Sequence, residues 1–335
     1  MQDKRNLNLV STEVAGLWDT YMNDSLATCT LKHFLNTLHD EEIRHILQRA
    51  LDISNGHIQA ITEKFNQEGL PIPKGFGEDD IDMKAPKLFT DPFFLFYLIS
   101  ITQIGMNNYS VILNHISRAD IRDFFSTCIQ EYIELFNLTV DALQQQGLYI
   151  KSPRVDIVKD IDFIDKQDFF SAGWFGKERN ILAREITGVF ANLRLNIISG
   201  ALATGFSQVA HSKKLSDYLF RGRDLAWKKV KTLSQFLIDE HIPIPATSDS
   251  FVTDSTIAPF SDKLMLYHIL VVLQIGLIQE GNSFANSLRH DLQAYFSGSM
   301  METAKYTEDA LDILIENKWM EQPPQVIEHR ELVNA

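Results

Sequence analysis

The chain has 335 residues, of which 45% are hydrophobic and 22% charged, a composition typical of globular proteins that excludes collagen-like, low-complexity and disordered chains. Its 31 Lys and Arg residues against 44 Asp and Glu residues give a formal net charge of −13, which argues against a nucleic-acid-binding protein. Because two cysteines cannot form a disulfide framework and the N-terminus lacks the apolar core of a secretory signal, we expect a cytoplasmic protein.

Hydrophobic periodicity predicts four helices in the first half of the chain. The first covers residues 11–38, with Ser11 or Thr12 as its N-cap and Glu13 in its first turn. The second covers residues 40–68 and ends at Gly69. The third, over residues 91–116, is apolar on most sides, and the fourth covers residues 120–146. Strand-like alternation is absent from the sequence, so we predict an all-α fold.

The connections between these helices predict the topology. Only one to three residues join the first helix to the second and the third to the fourth, so each pair must be antiparallel. The connection over residues 71–90 is long and rich in Pro, Gly and Asp. It can extend to roughly 65 Å, whereas the helices run about 40 Å. It can therefore cross the whole bundle, which predicts the ferritin-like arrangement with one long crossover.

The second half of the sequence is a copy of the first. Glu68-Gly69-Leu70-Pro71-Ile72-Pro73 recurs as Glu240-His241-Ile242-Pro243-Ile244-Pro245, at an offset of 172 residues, and beyond this turn the offset is 171. One deletion in roughly 140 aligned positions indicates a tandem duplication. We therefore predict two tandem ferritin-like four-helix bundles at 1–153 and 181–335, with a linker at 154–180.

The third helix of each copy is the most apolar part of the chain. These runs are shorter than the ~20 apolar residues of a membrane span, so we expect central buried helices and no membrane insertion. Gln103 and Gln274 are predicted to be buried amides that need partners, with a ligand site as the alternative. Gly105 and Gly276 are predicted to mark close helix approach.

A ferritin-like bundle suggests a dimetal-carboxylate centre, which needs inward-facing Glu and Glu-x-x-His residues. Glu42 and His45 match the short motif, but the helical wheel places both on the outer face, and it also places Glu131 and Glu134 outward. The second copy has Lys214 and Asp217 in place of Glu42 and His45. We therefore predict no metal site, no cofactor and no catalytic residues.

Three sets of histidines and acids remain open to two interpretations. His57 faces the core and is interpreted as a hydrogen-bonded core histidine, with a ligand role as the alternative; its counterpart is Lys229. His39 and His211 recur at the corner between the first two helices, where a turn role explains them. Glu13 and Glu185 recur at a helix start, where a carboxylate stabilises the helix dipole, and a functional role is the alternative.

The remaining candidate residues are interpreted structurally. Cys29 and Cys128 have no Cys-x-x-Cys partner and are predicted to be small buried hydrophobes. Asp160-x-Asp162-x-x-Asp165 lacks the Gly and closing Glu of a calcium loop, so we predict a solvated acidic linker. Phosphate-binding loops, dinucleotide fingerprints and nucleophile elbows are absent from the sequence.

The doubled unit, with Glu13-x-x-Gly16 at a helix start, Pro71-Ile72-Pro73 after the second helix and Gln103-Ile104-Gly105 in the third, resembles domain-of-unknown-function family 3231 of bacilli. That family is distantly similar to spore coat protein F. The resemblance spans nearly the whole chain. It implies a tandem ferritin-like fold in a Gram-positive bacterium and a spore or stress connection by kinship alone. It implies no catalytic residues.

These observations favour a non-enzymatic structural or interaction protein, cytoplasmic or spore-associated, that acts through self-association or an unknown protein partner. The alternative is a bundle that binds a metal or small molecule through polar residues such as His57, Gln103 or Glu13. A closed pocket inside a bundle would favour the alternative, and a core filled by side chains would count against it.

Overall fold

The computed structural model describes residues 8–156, 160–171, 179–244 and 250–325. Its regular structure within these ranges is helical, apart from an isolated antiparallel bridge between Phe89 and Val252. The all-α prediction is confirmed, whereas the ferritin-like detail stays a prediction. Eight α-helices follow in chain order: α1 Ser11–Thr37, α2 Arg44–Glu68, α3 Asp91–Leu113, α4 Ala119–Gln145, α5 Ala183–Val209, α6 Lys213–Asp239, α7 Asp262–Asn286 and α8 His290–Glu316.

The helix termini follow the sequence signals in most places. Gly69 ends α2 in the left-handed conformation, with φ 68°, a geometry in which a Cβ would be strained. The predicted N-cap of α1 is wrong, because Val10 takes that position and its backbone N–H donates to the carboxylate of Glu13 at 2.9 Å. Ser261 caps α7 by accepting from the backbone N–H of Leu264 at 3.1 Å.

The chain forms two compact units, which are described separately. The first consists of residues 1–83, 98–140 and 318–335, insofar as the structure describes them, and contains α1, α2, most of α3 and most of α4. Its core consists of apolar side chains that are at most 1% exposed, which include Leu17, Leu31, Phe34, Leu47, Phe65 and Phe125. In the connection between α2 and α3, the backbone N–H groups of Lys74 and Gly75 donate to the carboxylate of Glu321, both at 2.8 Å.

The second unit consists of residues 84–97 and 141–317, again where they are described. Within it, α5 packs against α6 and α7, and α8 packs against α6 and α7, so the four helices close a ring. Residues 84–97 belong to this core, because Phe89 is 1% exposed and packs against Phe206 of α5 with ring centroids 5.7 Å apart. The domain limits drawn from the duplication, at 153 and 181, remain a prediction.

Several residues of these predictions lie outside the described ranges. They are Pro245 of the second Pro-Ile-Pro turn, residues 157–159 and 172–178 of the predicted linker, and the chain ends at 1–7 and 326–335. The described part of the linker contains Asp160, Asp162 and Asp165, which are all exposed, as a solvated acidic segment requires.

The apolar third helices are less buried than predicted. Gln103 is half-buried and Gln274 is exposed, so the expectation of two buried amides is wrong. Water can satisfy the exposed amide of Gln274. By length and composition alone, α5 and α7 are long and apolar enough to cross a membrane. The most apolar 18-residue window of α5 has a mean hydropathy of 1.3 and is 61% buried within the protein, and that of α7 has a mean hydropathy of 1.5 and is 39% buried.

Candidate functional site

A buried carboxylate fastens the start of α1 to the turn between α3 and α4. Glu13 is 0% exposed, and its Oε1 accepts from the backbone N–H groups of Ser117 and Arg118, both at 2.9 Å. Burial raises the pKa of Glu13, but these donors and the N–H of Val10 outweigh it, so the pKa lies below its ordinary value. Glu13 thus acts beyond its own helix dipole, as a clamp between two helix ends.

The same clamp recurs in the second unit. Oε1 of Glu185 accepts from the backbone N–H groups of Leu288 at 2.9 Å and Arg289 at 3.0 Å. Arg289 in turn bonds Glu240 at 2.5 Å and Asp291 at 2.6 Å. In the first unit the equivalent arginine, Arg118, bonds its own two carboxylate partners, Glu68 at 2.5 Å and Asp120 at 2.8 Å. The second copy adds an ion pair between Arg179 and Glu185 at 2.7 Å. Because the glutamate, the arginine and its two carboxylate partners recur in both copies and are satisfied by protein groups, this network supports the fold.

The two units differ at the polar centre of the bundle. In the first unit, His57 on α2 is 4% exposed and lies between two carboxylates. Its Nδ1 is 2.9 Å from Oδ2 of Asp24 on α1, and its Nε2 is 3.0 Å from Oε2 of Glu131 on α4. Ser54 donates to the second oxygen of Asp24 at 2.9 Å. The interpretation of His57 as a hydrogen-bonded core histidine agrees with this geometry.

The two carboxylates keep His57 protonated. Burial disfavours the charged imidazolium and so lowers its pKa. The negative charge of Asp24 and the hydrogen bonds that the imidazolium makes to its neighbours outweigh burial and raise the pKa of His57 to about 12. The hydrogen bond from His57 lowers the pKa of Glu131 below its ordinary value. A charged imidazolium with both nitrogens occupied can neither ligate a metal nor act as a base at neutral pH.

The rest of this centre is filled by aromatic rings. Tyr109 on α3 and Tyr132 on α4 lie with ring centroids 5.2 Å apart and are hydrogen-bonded through their hydroxyls. The ring of Tyr132 lies directly over Gly105, where an added Cβ would be 1.9 Å from its Cε2. The predicted close approach at Gly105 is therefore confirmed, and a side chain fills the space that a ligand would need.

In the second unit a lysine takes the place of His57. Lys229 on α6 is 6% exposed, and its Nζ donates to Oε1 of Glu280 on α7 at 2.7 Å and to the hydroxyl of Thr303 on α8 at 2.5 Å. Ser299 donates to the same oxygen of Glu280 at 2.6 Å. The lysine and the glutamate thus neutralise each other inside the bundle, where an unpaired charge would be costly.

Beside this ion pair the second unit contains a partly enclosed pocket of about 50 Å³, room for several water molecules. Its polar end is formed by Asn196, Lys229, Glu280 and Thr303, and the remaining walls are largely apolar. Gly276 also lines it, and an added Cβ there would meet nothing within 4 Å, so the predicted close approach at Gly276 is wrong. The other lining residues include Leu195, Ser199, Leu225, Ile269, Leu273 and Tyr306.

The structure places the other predicted residues as follows. Glu42 and His45 are exposed, as the helical wheel predicted, and so is Glu134. The outward placement of Glu131 is wrong, because its side chain starts from the flank of α4 and is long enough to reach His57 on the neighbouring helix. Among the residues that the structure describes, no group of three His, Cys, Asp or Glu side chains is arranged to hold a metal.

The two corner histidines and the two cysteines lie as follows. His211 is exposed, and its backbone N–H donates to Asp262 at 3.0 Å, which holds the corner between α5 and α6. His39 lies exposed at the equivalent corner of the first unit. Cys29 and Cys128 are both buried, as predicted.

Sequence reasoning missed two members of these centres. Asp24 interrupts the buried part of α1 and is 1% exposed, and Glu280 is 3% exposed and the only acid of α7 beyond its first residue. The sequence signal that could have identified both acids is a single acidic residue within an otherwise apolar stretch of helix, together with one inward-facing basic residue on another helix of the same bundle.

The model of the family described as "Protein of unknown function (DUF3231)" matches residues 1–161 and again 169–332. A crystal structure of a "putative spore coat protein" from Bacillus halodurans C-125 is similar at 18% identity and a TM-score of 0.42, over 46% of this chain and 100% of that chain. A search of curated proteins found no match. Because the two matched regions cover nearly all of the sequence, the chain belongs to the DUF3231 family, as a tandem pair of its units.

Proposed function

We propose that the protein is a non-enzymatic interaction protein that self-associates through the outward face of α7. The observation that carries this proposal is the lack of charge on that face. Within α7, Glu280 is the only charged residue after Lys263, and Glu280 points into the core. A helix face that meets water normally carries charged side chains, as α8 does with Glu302, Lys305 and Glu308.

The face itself is apolar with two amides. Ile278 is 52% exposed, and Val271 lies nearly two turns before it at the same side of the helix. Gln274 and Asn282 are exposed at helical spacing around Ile278. Each amide carries both a donor and an acceptor, so the same face on a second copy can satisfy them around an apolar centre.

The charge of the chain favours a second copy at this face over other faces. With a formal net charge of −13, two copies repel each other wherever their acidic surfaces meet. Contact through an uncharged face minimises this repulsion, and a two-fold dimer uses one self-complementary patch. Other protein partners are the alternative that the experiment addresses.

Sedimentation velocity over a range of concentrations tests this proposal. We expect the wild-type chain to dimerise and Ile278→Lys to remain monomeric, because a lysine at the centre of the face places two like charges together. Met301→Lys is the matched control, since Met301 is 76% exposed on α8 and should leave dimerisation unchanged. A wild-type chain that stays monomeric at high concentration, or dimerisation that survives Ile278→Lys, would overturn the proposal.

The resemblance to spore coat protein F implies an association with spores, which we propose for this protein on kinship alone. Immunodetection in fractionated sporulating cells and purified spores tests it. Recovery of the protein only in the soluble cytoplasm of the mother cell would contradict it.

A further inference from the structure

We propose that the pocket of the second unit binds a small phenolic compound, whose ring takes the place that the Tyr132 ring takes in the first unit. The inference rests on the equivalence of the two repeats. Tyr132 and Gly105 of the first repeat correspond to Thr303 and Gly276 of the second, both at the offset of 171 residues. In the first unit the glycine accommodates a ring, and in the second the glycine remains but the ring is absent.

The space left by the missing ring is open. An added Cβ at Gly105 would overlap the ring of Tyr132, whereas one at Gly276 would meet nothing within 4 Å. Gly276 and Thr303 line the same pocket of about 50 Å³. The glycine in α7 costs roughly 1 kcal/mol of helix propensity relative to alanine. Among the residues of this unit that the structure describes, no side chain uses the room that the glycine provides.

The polar end of the pocket matches a phenolic hydroxyl. In the first unit the hydroxyl of Tyr132 is hydrogen-bonded to Tyr109, whose equivalent in the second unit is Glu280. Glu280 accepts from Lys229 and Ser299 at Oε1 and lies 3.2 Å from the Thr303 hydroxyl at Oε2. A carboxylate has about four lone-pair sites, so Oε2 can accept one more hydrogen bond from a ligand O–H.

The walls of the pocket suit an aromatic ring. Leu225, Ile269 and Leu273 supply apolar contact, and the ring of Tyr306 closes one side. Tyr306 is itself fixed, because its hydroxyl donates to the backbone carbonyl of Tyr218 at 2.8 Å. Apolar walls with a small number of fixed polar groups are the usual lining of a small-molecule site.

Titration of the whole chain with phenol, followed by methyl and amide NMR of the second unit, tests the proposal. We expect saturable shifts of Leu273, Ile269 and Gly276, with weaker binding of anisole, which has no O–H to donate to Glu280. Thr303→Tyr should abolish binding by restoring the ring, while Met301→Lys, on the exposed side of α8, should leave binding unchanged. Gly276→Leu, which fills the pocket from α7 where nothing is in the way, provides a second blocking variant if Thr303→Tyr folds poorly.

The reciprocal variant gives an independent readout. Tyr132→Thr should open an equivalent site in the first unit, so that phenol then also shifts Gly105. Phenol binding that is unaffected by both Thr303→Tyr and Gly276→Leu would overturn the proposal, and so would the absence of saturable shifts in the second unit of the wild-type chain.

Discussion

His57 and Lys229 occupy the same position in the two repeats, and each is a buried cation neutralised by a carboxylate from a different helix. His57 pairs with Asp24 on α1 at 2.9 Å, whereas Lys229 pairs with Glu280 on α7 at 2.7 Å. At the position of Asp24 the second repeat has Asn196, and at that of Glu280 the first has Tyr109. The cation is therefore on the second helix of both bundles, whereas its fully buried carboxylate is on the first helix in one unit and on the third in the other. Glu131 on α4 is a second and partly exposed partner of His57.

This exchange predicts that charge balance, more than the identity of the pair, stabilises the second unit. Lys229→Met leaves Glu280 buried without a counter-charge and should destabilise the unit by about 3–5 kcal/mol. The double variant Lys229→Met/Glu280→Leu removes both charges and should regain most of that loss. Hydrogen exchange of the α6 and α7 amides measures the free energy of opening in this unit alone. A double variant as unstable as Lys229→Met would contradict the prediction.

His57 should make the first unit more stable at neutral than at alkaline pH. Its pKa rises from 6.5 in the unfolded chain to about 12 in the folded one, so the folded state holds a proton that the unfolded state has lost. The stabilisation is therefore fully present below pH 6.5 and is lost as the pH rises toward 12. We expect the difference in unfolding free energy between wild type and His57→Gln to shrink steadily between pH 7 and pH 10.

Urea unfolding of both proteins at several pH values, followed by hydrogen exchange in α2, provides this difference. His45→Gln is the control, because His45 is exposed on the same helix. A wild-type to His57→Gln difference that stays constant with pH would show that His57 is not held in its charged form.

His268 should make the second unit sensitive to acid. It is 3% exposed, packs against Tyr97 and Phe206 with ring centroids 5.3 and 5.7 Å away, and burial lowers its pKa to about 4. Between pH 6.5 and pH 4, His268 is therefore protonated in the unfolded chain but neutral in the folded one. The free energy of unfolding decreases as the pH is lowered through that window. We expect His268→Phe to be more acid-resistant than wild type.

Thermal unfolding at pH 5 and pH 7.5 checks this effect, since the gap between His268→Phe and wild type should widen in favour of the variant at pH 5. His211→Phe substitutes an exposed histidine, and the gap between this variant and wild type should be the same at both pH values. An equal gap at both pH values would contradict the role assigned to His268.

Much of the framework could be predicted from the sequence, because helices of this length have strong periodicity and clear ends. The bounds of α1 and α4 agree with the predicted ones within one residue, and the duplication identified Lys229 as the counterpart of His57. The polar centres could be predicted only in part. Which acid pairs with a buried base depends on helix rotation and packing, which periodicity within one helix does not contain.

The errors have specific physical causes. The helical wheel reports where a Cα lies, but Glu131 reaches His57 because its side chain is long. A glycine in a helix indicates available space, but the sequence does not tell whether a neighbouring ring fills it, as at Gly105, or leaves it open, as at Gly276. That difference depends on Tyr132 and Thr303, which are distant in the chain from the glycines that they face.

The two glycines therefore allow one substitution to be tested in two environments. Gly105→Ala places a Cβ 1.9 Å from Tyr132, and we expect the resulting overpacking to destabilise the first unit by about 1–3 kcal/mol. Gly276→Ala meets no atom within 4 Å and should stabilise the second unit by about 0.5–1 kcal/mol through helix propensity. Hydrogen exchange in α3 and α7 separates the two effects. Combining Gly105→Ala with Tyr132→Thr should recover the stability that Gly105→Ala loses. If both glycine substitutions changed the free energy of unfolding in the same direction, the repeats would not differ in packing as the structure describes.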